Sequence, residues 1–215
     1  MIYNEDFLFV HFPKAAGKSL TRFFLEVWER PVGGIVSKGQ YSDIQDLDLT
    51  NVQLETGRGH ENLEQSATIL RASGKDLASL RAIFVCVRNP YDLMVSNYFY
   101  MRKNYKNNSD KGNFKLAANV SFPEYCARLT TAPPERWITY HGQVPANLRV
   151  LQFEQLTQNL KRYSDHFGFP MAKVPHLNAT DHEHYLRYIT PATERAIYTH
   201  FRFFFDHGYY QREYF

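Results

Sequence analysis

The run LRAIFVCV, residues 80–87, constrains the fold of this chain more than any other feature of its sequence. Its core is apolar on both alternating faces, and a strand of that kind has to be covered on both sides. Further strands are predicted at residues 6–11, 52–55 and 147–153, and helices at 18–28, 62–72, 90–102, 123–131, 154–168 and 191–206. Strands that alternate with helices predict an α/β fold with a parallel sheet flanked by helices.

The length and the composition favour one domain over residues 1–215. A chain of 215 residues with 44% hydrophobic residues has enough material for one well-buried core. We find no internal repeat, low-complexity tract or linker that would divide it. Residues 31–48 are predicted to be an irregular connection, and residues 103–119, which are rich in Asn and Lys, a mobile surface loop.

Charge and cysteine content exclude several classes of protein. The net charge of +3 is mild and the basic residues are spread along the chain, so nucleic acid is not an expected partner. The two cysteines, Cys86 and Cys126, are predicted to be buried thiols, as in a reducing compartment. The stretch MIYNEDFLFVHF has neither a basic segment nor a long apolar segment, and no apolar run of about 18 residues occurs in this sequence. We therefore expect a cytoplasmic protein without stable membrane insertion.

The first motif that carries chemistry is FPKAAGKSL, residues 12–20, between a predicted strand and a predicted helix. Such a loop directs backbone N–H groups and the positive end of the helix dipole at one spot, which suits a phosphate or a sulfate. Gly17 lets the backbone approach the anion, and Lys14 and Lys18 supply cations. The nucleotide-binding motif G-x-x-x-x-G-K-[ST] is incomplete, because Phe12 stands in the place of its first glycine.

The second motif is RNPYDLMVS, residues 88–96, directly after the buried strand. An enzyme that uses a nucleoside triphosphate commonly holds Mg²⁺ with an Asp at such a strand end, but this strand ends in Arg88. A guanidinium repels Mg²⁺ and binds phosphate well, and Ser96 lies about two helical turns further on. The two motifs together predict a pocket for two separate anionic groups without a metal.

The two motifs resemble those of the sulfotransferases that use 3′-phosphoadenosine-5′-phosphosulfate (PAPS). The stretch FVHFPKAAGKSL is most similar to the carbohydrate branch of that family, of heparan or chondroitin type, whose loop typically reads HIPKTGGTSL. The segment RVLQFEQLTQNL also looks like a strand and helix of the family, so the resemblance spans most of the chain. It implies a P-loop-like three-layer α/β fold with a central parallel sheet flanked by helices.

The resemblance also implies roles for individual residues. Lys14 would contact the bridging oxygen and the sulfuryl group, and Arg88 with Ser96 would bind the 3′-phosphate. The 5′-phosphate would be bound by the Ser19 hydroxyl and by the backbone of Ala15, Ala16, Gly17, Lys18, Ser19 and Leu20. Ala15 and Ala16 replace the usual Thr and Gly of the family loop, and Lys18 replaces a frequent Thr.

Sulfuryl transfer to a hydroxyl also needs a base, and the segment GRGHENL offers His60. Histidine is suited to this role because its unperturbed pKa is about 6.5. A histidine after the second strand also acts as base in the resembling branch. Glu61 is the reserve base, and Arg58 is expected to face the acceptor or the donor. His11 is a weaker candidate base and is expected instead to support the loop.

Two further features of the sequence could bear on a ligand. The cluster DHEHY, residues 181–185, has side chains that bind metals, but no second cluster has a matching spacing, so no metal is predicted. Asn178 resembles a family position near the donor or the acceptor.

The predicted activity is therefore transfer of a sulfuryl group from PAPS to a hydroxyl of an acceptor, with a saccharide or a glycolipid as the expected partner and a phenolic acceptor as the alternative. Two rivals stay open. One is a P-loop kinase or NTPase built on Gly17, Lys18 and Ser19, and the other is a catalytically silent nucleotide-binding domain, which would not depend on His60.

Overall fold

One sheet organises the part of the chain that the structure, a computed structural model, describes: residues 1–175 and 182–213. Its six strands are β1 (Ile2–Tyr3), β2 (Phe7–Val10), β3 (Val32–Val36), β4 (Val52–Thr56), β5 (Ala82–Val87) and β6 (Leu148–Gln152). They lie in the order β4-β3-β1-β2-β5-β6. β1 is antiparallel to both of its neighbours, and the other five strands point in one direction. The predicted α/β fold with a central sheet flanked by helices is confirmed, and the sheet is parallel as predicted except at β1.

Helices connect the strands and form most of the rest of the described chain. The α-helices are α1 (Gly17–Val27), α2 (Lys38–Ser42), α3 (Leu63–Ala72), α4 (Pro90–Lys103), α5 (Gly112–Asn119), α6 (Phe122–Arg128), α7 (Leu156–Phe167) and α8 (Pro191–Asp206). Short 3₁₀ turns occupy Leu77–Ser79, Tyr105–Asn107, Pro134–Trp137, Phe153–Gln155 and Tyr185–Tyr188. No helix of the described residues has the length and the apolar composition needed to cross a membrane.

β5 is the strand on which the core is built, as its apolar pattern predicts. All six of its residues are buried, and it pairs in parallel with β2 on one side and β6 on the other. Aromatic rings fill the space between β5 and the adjoining helix α1. The ring centroid of Phe24 lies 4.3 Å from that of Trp28 and 5.4 Å from that of Phe84. Packing of this kind stabilises the sheet because large aromatic side chains bury the most apolar area.

The prediction of irregular backbone over residues 31–48 was wrong, because it missed β3 and α2. β3 contains Gly33 and Gly34, which are poor strand residues in isolation. In the structure they let β1 approach closely. A Cβ at Gly34 would lie 2.5 Å from the carbonyl oxygen of Met1, and one at Gly33 would lie 2.8 Å from the ring of Tyr3. Strand β1 itself has two residues and too little sequence to show a period.

The prediction of a loop over residues 103–119 was also wrong, because α5 fills its second half. The helix has one fully buried side chain, Ala117, and the ring of Phe114 lies 6.2 Å from that of Tyr100 on α4. The surrounding Asn and Lys residues are exposed and conceal this short apolar contact in the sequence. By contrast, α7 ends as predicted, with Gly168 in a left-handed conformation after its last turn.

The described chain forms two compact units. The first contains residues 1–87 and 136–175 and holds the whole sheet. The second contains residues 88–135 and 182–213 and is helical. In the second unit the Glu194 carboxylate is buried, accepts a hydrogen bond from the Tyr91 hydroxyl at 3.1 Å and is bound by both branches of the Arg212 guanidinium. The single domain over residues 1–215 stays a prediction.

Both cysteines are buried and free of disulfides, so the prediction of core thiols is confirmed. Burial raises the pKa of the Cys126 thiol to about 12, which leaves it protonated and unreactive at neutral pH. Two predictions fall outside the described residues: the proposed position of Asn178 near a ligand, and Asp181 of the DHEHY cluster.

Candidate functional site

The predicted anion-binding loop leaves β2 after Val10 and enters α1 at Gly17. Lys14 and Ala16 have left-handed backbone conformations, with φ of 63° and 54°. Such conformations are unfavourable for residues other than glycine and concentrate at ligand-binding sites. The N–H of Leu20 makes the first intrahelical hydrogen bond, to the carbonyl oxygen of Ala16 at 2.9 Å. The N–H groups of the first turn and the positive end of the helix dipole therefore form an end that suits a phosphate or a sulfate.

Residue 17 has to be glycine for a structural reason that the sequence does not reveal. A Cβ at this position would lie 1.6 Å from Nε2 and 1.6 Å from Cδ2 of His11, so the histidine ring occupies the space of a side chain. His11 is buried and lies between the end of β2 and the start of α1. The expectation that His11 supports the loop is thus confirmed.

The side chains of Ala15, Ser19 and Leu20 are all buried and anchor the loop in the first unit. Because the N–H of Leu20 already closes the first helical turn, Leu20 contributes packing, and the backbone donors of the predicted cradle precede it.

Lys18 is held by α2. Its Nζ lies 2.7 Å from Oδ2 of Asp43 and donates a hydrogen bond to the carbonyl oxygen of Gly39 at 3.3 Å. A nucleotide-binding P-loop would use the lysine of its G-K-S sequence on phosphates. In this chain that lysine forms an ion pair with a protein carboxylate.

His60 lies four residues beyond the end of β4, against His11. The two ring centroids are 4.2 Å apart, and the His60 Nδ1 lies 3.4 Å from the carbonyl oxygen of His11. Removal of water from the ring by burial is the largest cause that lowers the pKa of His60, although part of the residue is exposed. The positive charges of the Met1 amino group and of Lys14 lower this pKa further, against the His11 carbonyl and the charge of Glu61, which raise it. His60 thus lies at the end of β2 from which the loop with Lys14 leaves.

Glu61, the reserve base, is already engaged. Its Oε1 accepts a hydrogen bond from the N–H of Gly59 at 3.2 Å, and its Oε2 lies 3.4 Å from the amino group of Met1. Arg58, which was expected to face a ligand, is exposed.

Gln40 is part of this site and was missed by the sequence analysis. It is almost fully buried, and its Nε2 lies 2.8 Å from Nδ1 of His11 and 3.2 Å from Oγ1 of Thr21. The signal that could have revealed it is the spacing of Ser37 and Gln40, which is that of a capping box at a helix start. The short helix α2 offers little other pattern.

The second motif starts α4 as predicted, with Asn89 as N-cap and Pro90 at the first position. Arg88 and Ser96 come together, since NH1 of Arg88 donates a hydrogen bond to Oγ of Ser96 at 3.2 Å. Asp92 was missed. Its Oδ2 lies 2.7 Å from both Nε and NH2 of Arg88 and so fixes the guanidinium. The available signal was the spacing of four residues between Arg88, just before the helix start, and Asp92 in the first turn of α4.

Side chains suited to a metal do not cluster within residues 1–175 and 182–213: no three His, Cys, Asp or Glu residues meet there in a group that could hold one.

Comparison with known proteins gives a structural relative. No protein-family model matches the chain, and no curated protein matches it either. Its fold is similar to that in the crystal structure of a mouse sulfotransferase, SULT7A1, complexed with PAP. The similarity covers 94% of this chain and 84% of that chain, with a TM-score of 0.52 and 13% sequence identity. At this identity the similarity establishes the fold alone.

Proposed function

We propose that this chain is a sulfotransferase that transfers the sulfuryl group of PAPS to a hydroxyl of an acceptor, a saccharide or a glycolipid. The observation that carries the proposal is the contact of His60 with His11, at the end of β2 from which the loop with Lys14 leaves toward the start of α1. A cation, an imidazole and a helix N-terminus are the groups that this reaction needs.

In the proposed reaction the acceptor oxygen forms a bond to sulfur while the bond from sulfur to the 5′-phosphate oxygen breaks. The acceptor proton passes to His60, and the Lys14 ammonium stabilises the negative charge on the leaving phosphate oxygen. The N–H groups at the start of α1 bind the 5′-phosphate.

The protonation of His60 supports its role as base. A carbonyl oxygen only accepts hydrogen bonds, so the contact with His11 puts the proton of the neutral ring on Nδ1 and leaves the lone pair on Nε2. The lowered pKa keeps this ring neutral at neutral pH. The Glu61 carboxylate is instead bound by the Gly59 N–H and the Met1 amino group, which favours His60 over Glu61.

We assign the 3′-phosphate of the donor to Arg88 and Ser96. A guanidinium that a neighbouring carboxylate holds in place is pre-organised for a charge-assisted contact with phosphate, and Asp92 supplies that carboxylate. The similarity to a sulfotransferase complexed with PAP supports adenosine 3′,5′-bisphosphate as the ligand to test first.

The kinase and NTPase rival has less support. It needs Lys18 on phosphates and an acidic side chain for Mg²⁺ near the end of β5. Lys18 is instead paired with Asp43, and Asp92, close after β5 in the chain, is paired with Arg88. A saccharide acceptor is preferred on the resemblance of FVHFPKAAGKSL to the carbohydrate branch.

The first test is calorimetric titration with adenosine 3′,5′-bisphosphate and, separately, with ATP and Mg²⁺. We expect metal-independent binding of the bisphosphate, weakened by about 1.5–3 kcal/mol in Arg88→Ala, as for a hydrogen bond to a charged group. Arg128→Ala is the matched control, because Arg128 also pairs with a carboxylate four residues away on a helix. Binding of ATP with Mg²⁺ alone would contradict the proposal.

The second test follows labelled sulfate from PAPS onto saccharides, glycolipids and phenols. Transfer to a saccharide or a glycolipid that is lost in His60→Ala is the expected result. Transfer to phenols alone would contradict the acceptor class. Bisphosphate binding without transfer to any acceptor would favour the silent nucleotide-binding domain.

A further inference from the structure

The capping box of α2 fixes the orientation of the Gln40 side chain. The backbone N–H of Ser37 lies 2.8 Å from one end of the Gln40 amide, and the N–H of Gln40 donates to Oγ of Ser37 at 3.3 Å. A backbone N–H only donates, so the amide atom that it contacts is the oxygen. The opposite end of the Gln40 side chain is therefore the NH₂ group.

This NH₂ group fixes the tautomer of His11. It lies 2.8 Å from Nδ1 of the His11 ring, and since an NH₂ group donates, Nδ1 is the acceptor. The His11 ring is then neutral and carries its proton on Nε2. Both residues are buried, with 1% of Gln40 and 5% of His11 exposed, so water does not compete for this contact.

His11 in turn contacts His60 through two of its groups. The rings lie 4.2 Å apart between centroids, and the His11 carbonyl oxygen accepts from Nδ1 of His60 at 3.4 Å. The segment that carries His60 also packs on Gln40 directly, because a Cβ at Gly59 would lie 2.1 Å from the Gln40 oxygen. A continuous chain of contacts thus leads from Gln40 through His11 to the proposed base.

We propose that Gln40 is a positioning residue for His60: it holds His11 as a neutral ring, so that the proton taken from the acceptor enters a site without a second imidazolium, and it holds the carbonyl that orients the His60 ring. This inference rests on the proposed function.

The surrounding charges make the neutrality of His11 consequential. The Met1 amino group and Lys14 already place positive charge near His60, and Glu61 is the acidic group beside it. Burial is the largest cause that lowers the pKa of His11, and the neighbouring His60 and the Met1 amino group lower it further. A hydrogen bond with the Gly59 backbone acts against them and raises it. A protonated His11 would add another positive charge next to His60 and would make it a weaker base.

The test is Gln40→Glu, which keeps an oxygen for the Ser37 N–H but replaces the NH₂ group by an acceptor. A carboxylate at this place favours a proton on Nδ1 of His11. Gln65→Glu is the matched control, because Gln65 makes the same capping box with Asn62 at the start of α3. Nitrogen-detected NMR of the histidine rings, titrated with pH, reads the tautomer of His11 and the titration midpoint of His60.

We expect His11 in the unsubstituted protein to be neutral with its proton on Nε2 at pH 7, and in Gln40→Glu to carry a proton on Nδ1, with a His60 midpoint that differs from that of the unsubstituted protein. The rate at which labelled sulfate is released from PAPS to water should fall about tenfold or more in Gln40→Glu. The acid limb of the pH dependence of this rate should be displaced together with the His60 midpoint. The dissociation constant for adenosine 3′,5′-bisphosphate should change by less than about threefold.

A His11 proton on Nδ1 in the unsubstituted protein would overturn the inference. So would a Gln40→Glu protein that matches Gln65→Glu in His60 midpoint and in sulfate release. If Gln40→Glu does not fold, Gln40→Met, which keeps the length without a donor, is measured in the same way, and an unchanged His60 midpoint overturns the inference. If the unsubstituted protein neither binds the bisphosphate nor releases sulfate, the proposed function itself is overturned, and the catalytic role of Gln40 with it. If the unsubstituted protein binds and releases normally and Gln40→Glu does the same, this inference alone is overturned.

Discussion

The imidazole ring of His11 occupies the space that a side chain at Gly17 would need. A Cβ at residue 17 would lie 1.6 Å from Nε2 of this ring, far inside any contact distance. The first turn of α1 can therefore form next to His11 only because residue 17 is glycine. The helix end and the histidine pair of the first unit are in this way one packed arrangement.

We predict that Gly17→Ala lowers the free energy of unfolding by about 1–3 kcal/mol, because the His11 ring has to move against a close-packed interior. Bisphosphate affinity should fall at least about tenfold, since the helix end moves with it. Gly112→Ala at the start of α5 is the control, as a Cβ there meets nothing within 4 Å. Equal urea denaturation midpoints for the two variants would contradict the prediction.

We predict that Ala16→Gly raises the free energy of unfolding by up to about 1 kcal/mol. Ala16 has a φ of 54°, which costs an L residue roughly 1–2 kcal/mol, and this gain exceeds the extra chain entropy of glycine. Ala15→Gly is the matched control. Ala15 is not among the residues with positive φ, and its Cβ is buried, so this neighbouring change should destabilise the protein. Urea denaturation that shows both variants destabilised alike would refute the explanation.

The two lysines of the loop should differ in their effect on catalysis. Lys14→Met should reduce sulfuryl transfer by about 10²–10³-fold, as for the loss of a group that stabilises a developing negative charge. Lys18→Met should reduce it by less than about threefold, because the Lys18 ammonium is bound by Asp43. Initial rates with PAPS measure both effects. A larger loss of rate in Lys18→Met than in Lys14→Met would support the alternative of a P-loop kinase or NTPase.

The proposed base should set the acid limb of activity. His60 acts when neutral, and its pKa is lowered mainly because burial removes water from the ring, so the acid limb of kcat/KM should have its midpoint below about pH 6.5. His60→Ala should lose about 10²–10⁴-fold in rate together with this limb. His141→Ala, a change at an exposed histidine, is the control and should keep both. An acid limb that persists in His60→Ala would point to another base.

Acid should destabilise the protein through His11. Burial holds the pKa of His11 well below its usual 6.5, so below pH 6.5 the unfolded chain binds a proton that the folded chain does not. The stability that His11 contributes is therefore complete above about pH 6.5 and is lost as the pH falls toward the folded pKa, by about 1 kcal/mol over the first pH unit. Urea denaturation at pH 7.5 and 5.5 measures this loss. His11→Gln should reduce the difference between the two pH values, and an unchanged difference would assign the acid sensitivity elsewhere.

The elements that sequence reasoning predicted well are those with local signals. β5 is apolar throughout, α4 begins with the Asn89 cap and Pro90, and α7 ends at Gly168. Each signal acts within a few residues, because caps, turns and side-chain periods are properties of neighbouring backbone groups. The positions of Arg88 directly after β5 and of Ser96 on α4 follow from the same local signals, and the structure joins the two side chains by a hydrogen bond.

The elements that were missed depend on distant parts of the chain. Gly33 and Gly34 of β3 let β1 approach at close range, and Phe114 of α5 packs against Tyr100 of α4. Neither contact is visible in a short window of sequence, and both override weak local preference.

The sequence by itself determined the α/β class and the two loops that follow β2 and β5, because apolar periodicity and helix-start chemistry are written in adjacent residues. The tertiary structure decided the electrostatics of the candidate site. It assigned Lys18 to Asp43, placed His60 against His11, and brought the Gln40 amide to Nδ1 of His11. These relationships join residues that lie 25 to 49 positions apart, and they arise only when the strands and α2 are packed, since charge and hydrogen bonding act through space rather than along the chain.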